Sequence, residues 1–148
     1  MNTIAIYVAV LCGFVFAWMM LRRLRAKSEL EAQSIEPEAL HELFKTNQVL
    51  LFDVRRPLDV LAHPEIIPGA IRVPPQDAAE LSASYPRDQK AVLYCTGVDD
   101  DTGHMVLGKV HALHFTQVKL LKGGLTAWKA AGYPVETYTE SFNLDTAT

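Results

Sequence analysis

The stretch Ala91–Val92–Leu93–Tyr94–Cys95–Thr96–Gly97–Val98–Asp99–Asp100–Asp101–Thr102–Gly103 decides how the rest of the chain is read. A short apolar run delivers a cysteine to its end. A polar loop follows, and a helical pattern then runs from Thr102 to His114. Val106, Val110 and Leu113 share one face of it, with Leu107 beside them. Strand, loop and helix in that order put Cys95 where an open α/β sheet builds its sites, beyond the carboxyl ends of its strands. Loop N–H groups that curl toward the sulfur favour thiolate over thiol, and so does the positive pole of the helix. Thiolate is the nucleophile, so this geometry yields a reactive cysteine without a histidine partner. The alternative is a buried, inert cysteine, and position alone leaves the two level.

Outward from this stretch, short apolar runs alternate with helical patterns. Val49–Leu50–Leu51–Phe52–Asp53–Val54 is a continuous apolar run broken by one acid, the pattern of a strand buried on both faces. Asp53 is costly to bury unless bonded, so it is expected to accept from backbone N–H groups or from Arg55 or Arg56. Arg56 to His63 reads as a short helix, Ile67–Pro68–Gly69–Ala70 as a turn, and Ala70 to Val73 as a strand stopped by Pro74–Pro75. Asp77 to Ser84 reads as a second small helix. Gln117 to Leu121 is a further strand, and Gly123–Gly124 turns the chain into a helix carrying Trp128. Upstream, Ser34–Ile35–Glu36–Pro37–Glu38 is a helix-start signal, with Leu40, Leu43 and Phe44 as its apolar stripe. The alternation predicts an α/β fold with a parallel sheet covered by helices on both faces. Residues from Glu136 on are polar and aperiodic and read as a mobile tail.

The N-terminal end has a different character. Ile4 to Leu21 carries no charged residue, and as a helix it reaches roughly 27 Å, close to the thickness of a hydrocarbon core. Tyr7 and Trp18 stand near its ends, where aromatic rings favour the interface. Arg22, Arg23, Arg25 and Lys27 follow, which by the positive-inside rule leaves the remainder of the chain in the cytoplasm. A cleaved signal peptide carries its positive charge before the apolar run, the reverse of this order. The expectation is a single-pass anchor over residues 1–22, contacting the membrane through residues 4–21, and then a basic juxtamembrane linker over residues 23–34.

The chain has 148 residues, room for one domain beyond that anchor, and a net charge of −3. Without a basic face, nucleic-acid binding has no electrostatic support. The two cysteines, Cys12 and Cys95, lie in unlike settings, so no structural disulfide is expected.

Several landmarks together carry a family likeness: Phe52–Asp53–Val54–Arg55, Ile67–Pro68–Gly69–Ala70, Leu93–Tyr94–Cys95, Leu121–Lys122–Gly123–Gly124–Leu125–Thr126–Ala127–Trp128 and Ala131–Gly132–Tyr133–Pro134–Val135. The chain resembles the rhodanese-like domain, a sulfurtransferase module, over residues 35–136, leaving a polar C-terminal tail over residues 137–148. The resemblance implies a five-stranded parallel sheet flanked by helices. It implies that Cys95 takes sulfane sulfur from a small donor (a persulfide, a polysulfide or thiosulfate), holds it as a persulfide and passes it to a thiol or protein acceptor. The loop Thr96, Gly97, Val98, Asp99, Asp100 and Asp101 would cradle the sulfur and the donor, with no metal and no organic cofactor.

The loop departs from the family in its length and in its three aspartates. Carboxylates near a thiolate raise its pKa and repel an anionic donor, which disfavours thiosulfate. No arginine lies between Cys95 and the end of the following helix, so a phosphatase would lack its phosphate clamp. Arg56 and Lys122 are candidates for the pocket wall; Lys122 reads equally as surface charge. His104 and His111 lie two turns apart on one helix and do not chelate one ion. His114, at the helix end, suits a left-handed conformation. Two functions follow: a membrane-anchored sulfurtransferase or sulfur carrier, and a non-catalytic rhodanese-like module that docks a partner at the membrane through its acidic loop.

Overall fold

The structure, a computed structural model, describes residues 3–97 and 101–140. It separates the N-terminal helix α1 (Thr3–Ala32) from a unit that begins at Ser34. The described side chains of α1 are exposed on every side. One stretch of it, Ile6–Glu29, is long and apolar enough to cross a membrane, with mean hydropathy 1.6, and makes α1 a candidate membrane anchor. The helix does not end at the basic cluster. Arg22 instead stacks over Trp18, its guanidinium 4.7 Å from the ring centroid, and the expected linker stays helical to Ala32. Residues 23–32 are mostly good helix formers without Gly or Pro, so nothing in them stops the helix.

The second unit is a parallel five-stranded sheet in the order β1-β6-β5-β2-β4. Its strands are β1 (Ser34–Ile35), β2 (Leu50–Asp53), β4 (Ile71–Arg72), β5 (Ala91–Tyr94) and β6 (Val118–Leu121). Alternate residues of the central strands feed two cores. Phe52, Leu93 and Leu120 face α5 (Asp101–Ala112), a 3-10 helix (Pro75–Glu80) and α4 (Leu81–Ser84). Leu51, Val92, Tyr94 and Leu121 face α2 (Pro37–Lys45) and α6 (Gly124–Ala130). Burial on both faces explains why these strands read as continuous apolar runs rather than alternating ones.

Three elements differ from the sequence reading. β1 lies inside what reads as a helix-start signal; two residues are too few to show a strand period. Asp77 to Ser84 opens as 3-10 turns under Pro74 and Pro75 and becomes α-helical only at Leu81. The C-terminal segment is paired where a tail was expected. β7 (Glu136–Thr137) joins β3 (Glu65–Ile66) in an antiparallel pair, and the Tyr138 N–H donates to the Pro64 carbonyl at 2.7 Å. Residues 141–148 lie outside the described residues. The helix after Cys95 runs Asp101–Ala112, and His114 beyond it holds φ of 67°, the left-handed conformation its position suggests.

Asp53 and Arg55, both fully buried, form the polar centre of the fold. Asp53 Oδ1 accepts from the Arg55 N–H at 3.1 Å and from Nε at 2.9 Å, and Oδ2 from Nη2 at 2.6 Å. Arg55 also donates to the carbonyls of His63 and Glu65, each at 2.9 Å. It is therefore Arg55, not Arg56, that satisfies the buried acid. Burial pulls the guanidinium pKa down, but the hydrogen bonds and charge of Asp53 outweigh it and hold the value above its ordinary one. Arg72 stands behind the pair with Nη1 3.6 Å from Asp53 Oδ1. Replacing Arg55 by Met strips Asp53 of its bidentate partner and two carbonyls of their donors, and is expected to cost about 3–5 kcal/mol in urea unfolding of the detergent-solubilised chain. Arg56→Met, at an exposed side chain, should stay within about 0.5 kcal/mol.

Candidate active site

The strand order decides where a site can form. From β2 the chain moves outward to β4 on one edge; from β5 it moves to β6 in the opposite direction. The segments leaving β2 and β5 therefore diverge, and a crevice opens between them at the carboxyl ends of the strands. On one wall are Asp59 and Ala62 of α3 (Pro57–Ala62), with Arg56 and His63 flanking the helix. On the other are Thr96, Gly97, Asp101, Thr102 and Met105, with Thr126 of α6 completing the rim. Together they line an open basin of about 840 Å³.

Cys95 follows directly on β5 and is 2% exposed. Its thiol donates to the Gly97 carbonyl, Sγ to O 3.5 Å. Helix α5 reaches the sulfur through Gly103, where an added Cβ would stand 3.1 Å from Sγ and 2.9 Å from Leu120 Cδ1. On the other face of the sheet, α6 holds the backbone of the cysteine loop. The Leu125 N–H donates to the Cys95 carbonyl at 2.9 Å, and the Thr126 N–H to the Thr96 carbonyl at 3.0 Å. This close approach demands glycine at 124, which has φ of 56°, because a Cβ there would overlap the Cys95 carbonyl.

The direction of these bonds has a stereochemical consequence. The described residues contain no cis peptide, and in a planar trans peptide C=O and N–H point opposite ways. With the carbonyls of Cys95 and Thr96 aimed at α6, the N–H groups of Thr96 and Gly97 aim away from it. Donors stabilise negative charge on a sulfur they reach, whereas the Gly97 carbonyl accepts from the thiol form.

The residues singled out in sequence separate into two groups. Thr96, Gly97, Asp101 and Arg56 line the crevice, Arg56 with its Nε 3.2 Å from Asp59 Oδ2, while Cys95 is buried next to them and is not among the described lining residues. Val98, Asp99 and Asp100 lie outside the described residues. Lys122 is not among the described lining residues; its Nζ pairs with Glu36 at 2.6 Å. Sequence reading missed Asp59, Ala62, His63, Thr102, Met105 and Thr126 as lining residues and Gly103 as the contact under the sulfur. A glycine one turn into a helix is a signal of close approach that could have found the last; the others depend on which loops the sheet order brings together.

The rhodanese-like domain pattern matches residues 36–131. The chain belongs to the rhodanese-like domain family. An uncharacterized protein of Synechocystis sp., slr1261, is 31% identical over 101 residues, covering 68% of this chain and 54% of its own; the chain thus spans about half the length of that curated relative. A crystal structure of a Lactobacillus plantarum protein superposes with a TM-score of 0.70 at 20% identity, over 78% of this chain and 97% of that one. The Rhodanese_3-like domain of the Anabaena sp. Alr3790 protein reaches 0.55 at 28% identity, over 64% and 97%. Family membership supports a sulfurtransferase or an interaction module.

The contact at Gly124 gives a sharp test. Gly124→Ala should lose about 1–3 kcal/mol of stability through strain and overlap with the Cys95 carbonyl. Gly108→Ala, in the same domain but with nothing within 4 Å of the added Cβ, should gain about 0.4–1 kcal/mol. Urea unfolding of the two variants side by side measures both.

Proposed function

We propose that this chain is a membrane-anchored sulfurtransferase or sulfur carrier that forms a persulfide on Cys95 and passes sulfane sulfur to a thiophilic acceptor at the cytoplasmic face. The observation that carries the reading is the placement of Cys95: it follows directly on β5 at the carboxyl end of the sheet, behind the Thr96 and Gly97 that line the crevice, with its sulfur against the first turn of α5 and the Cys95 and Thr96 carbonyls held by α6. The Cys95 thiolate attacks the outer sulfur of a donor R–S–SH; the donor S–S bond breaks and R–S⁻ leaves. An acceptor thiolate then attacks the outer sulfur of Cys95–S–SH, regenerating the Cys95 thiolate and forming the acceptor persulfide. Electrons and protons balance in both steps without an added oxidant.

The acidic lining of the basin disfavours thiosulfate as donor. Asp59 and Asp101 line it, and Arg56, the one guanidinium among the described lining residues, is already engaged by Asp59. A dianion meets more negative than free positive charge there. The orientation rests on Arg22, Arg23, Arg25 and Lys27 immediately after the apolar part of α1.

A non-catalytic module that docks a partner at the membrane is the second reading, and the 2% exposure of Cys95 favours it. Mass spectrometry after polysulfide treatment separates the two. Cys95→Ser should abolish sulfur addition and transfer to cyanide, while Cys12→Ser keeps both; a wild-type chain that takes up no sulfur belongs to the second reading. Glutathione persulfide should load Cys95 faster than thiosulfate at equal concentration. Deleting the residues before Arg22 should release a soluble domain with an unchanged unfolding midpoint, measured by fractionation and urea titration.

A further inference from the structure

The cysteine loop is tied to α6 by one bond that the helix backbone does not supply. Thr126 Oγ1 donates to the Thr96 carbonyl at 2.8 Å, beside the Thr126 N–H that donates to the same oxygen at 3.0 Å. The Thr96 carbonyl thus receives two donors from one residue. Thr126 lies on the rim of the basin, is exposed, and touches Gly97 closely enough that a Cβ at 97 would stand 3.6 Å from Oγ1. Neither packing nor helix formation requires a hydroxyl at this position: the residue is exposed, and valine has nearly the same shape.

What the hydroxyl holds is the plane of the Thr96–Gly97 peptide. That plane is the last described one before the loop runs on through Val98. Its N–H points away from α6, and the Gly97 carbonyl that follows accepts from the Cys95 thiol at 3.5 Å. A single N–H bond lets the peptide rock about its axis; a second donor converging on the same oxygen from another direction resists that motion. We propose that Thr126 is a positioning residue for the reactive sulfur, its hydroxyl holding the Thr96–Gly97 peptide with its N–H presented to the sulfur of Cys95. The inference rests on Cys95 being the reactive sulfur of the proposed function. It adds that the reactivity is set in part from α6, on the face of the sheet opposite the helix that contacts the sulfur. By the same geometry, the residue that lines the basin for a substrate also steadies the loop beneath it.

The test uses the full chain in detergent with Cys12→Ser as background, so that Cys95 alone is labelled. The rate of iodoacetamide alkylation of Cys95 is compared in Thr126, Thr126→Val and Thr126→Ser chains at one pH, alongside urea unfolding. Thr126→Val should slow alkylation about three- to tenfold, the size of one lost hydrogen bond, with little change in unfolding midpoint. Thr126→Ser, which keeps the hydroxyl, should restore the rate. An equal or faster rate in Thr126→Val overturns the proposal, and so does a Thr126→Ser chain as slow as the valine variant, which would assign the effect to the lost methyl. Polysulfide loading of the same samples separates this inference from the function beneath it. If the alkylation pattern holds but no chain takes up sulfur, the positioning role stands and the sulfurtransferase reading falls.

Discussion

The buried ion pair of Asp53 and Arg55 is the constraint on which the rest of the domain depends. A guanidinium and a carboxylate with no solvent contact are tolerated only when their hydrogen-bonding capacity is used. Here the spare donors of Arg55 go to the carbonyls of His63 and Glu65. The end of β2 is thereby locked to the segment that carries α3 and β3, one whole wall of the crevice. Tyr94, at the end of β5, packs its ring 5.7 Å from the same guanidinium and accepts from the Ile67 N–H at 3.3 Å. Burial, reinforced by the charge of Asp53, pushes its phenol far above the ordinary range, so it stays neutral. One buried charge pair thus sets the spacing between the strand that precedes Cys95 and the loop that faces it.

The opposite wall is assembled by backbone rather than charge. Helix α6 approaches so closely that only glycine fits at 124, and its first N–H groups take the carbonyls of Cys95 and Thr96. Helix α5 approaches from the other face and meets the sulfur at Gly103. The cysteine is held between two helix starts on opposite sides of the sheet, one gripping its carbonyl and the other touching its side chain. This division of labour fixes the backbone of Cys95 from one face of the sheet and its side chain from the other.

Much of this was legible in the chain itself. The apolar runs at Leu50–Asp53, Ala91–Tyr94 and Val118–Leu121 identified strands because burial on both faces leaves no polar alternation to obscure them. Asp53 was recognisable as a structural acid because an unpaired carboxylate cannot stay in such a run, although sequence left Arg55 and Arg56 level as its partner. The left-handed His114 followed from the absence of glycine where a helix must stop. β1 and β7 were not legible. Each is two residues long, and what makes them strands is a partner, Leu120–Leu121 for β1 and Glu65–Ile66 for β7, that is remote in sequence.

By itself the sequence determined the α/β alternation, the apolar N-terminal helix and the cysteine at the end of a strand, because each of these is written in residues that lie next to one another. The tertiary structure decided which loops face each other across the crevice. That depends on strand order, and the reversal between β2 and β5 is a property of the assembled sheet. It brought Arg56, Asp59 and His63 opposite Asp101, Thr102 and Met105, removed Lys122 to a pairing with Glu36, and set Thr126 against Thr96. Contacts of this kind arise only when residues far apart in the chain are packed together, so no local pattern records them. The stretch around Cys95 placed a thiol at the end of a strand; the packing of two helices on either side of it decided what that thiol faces.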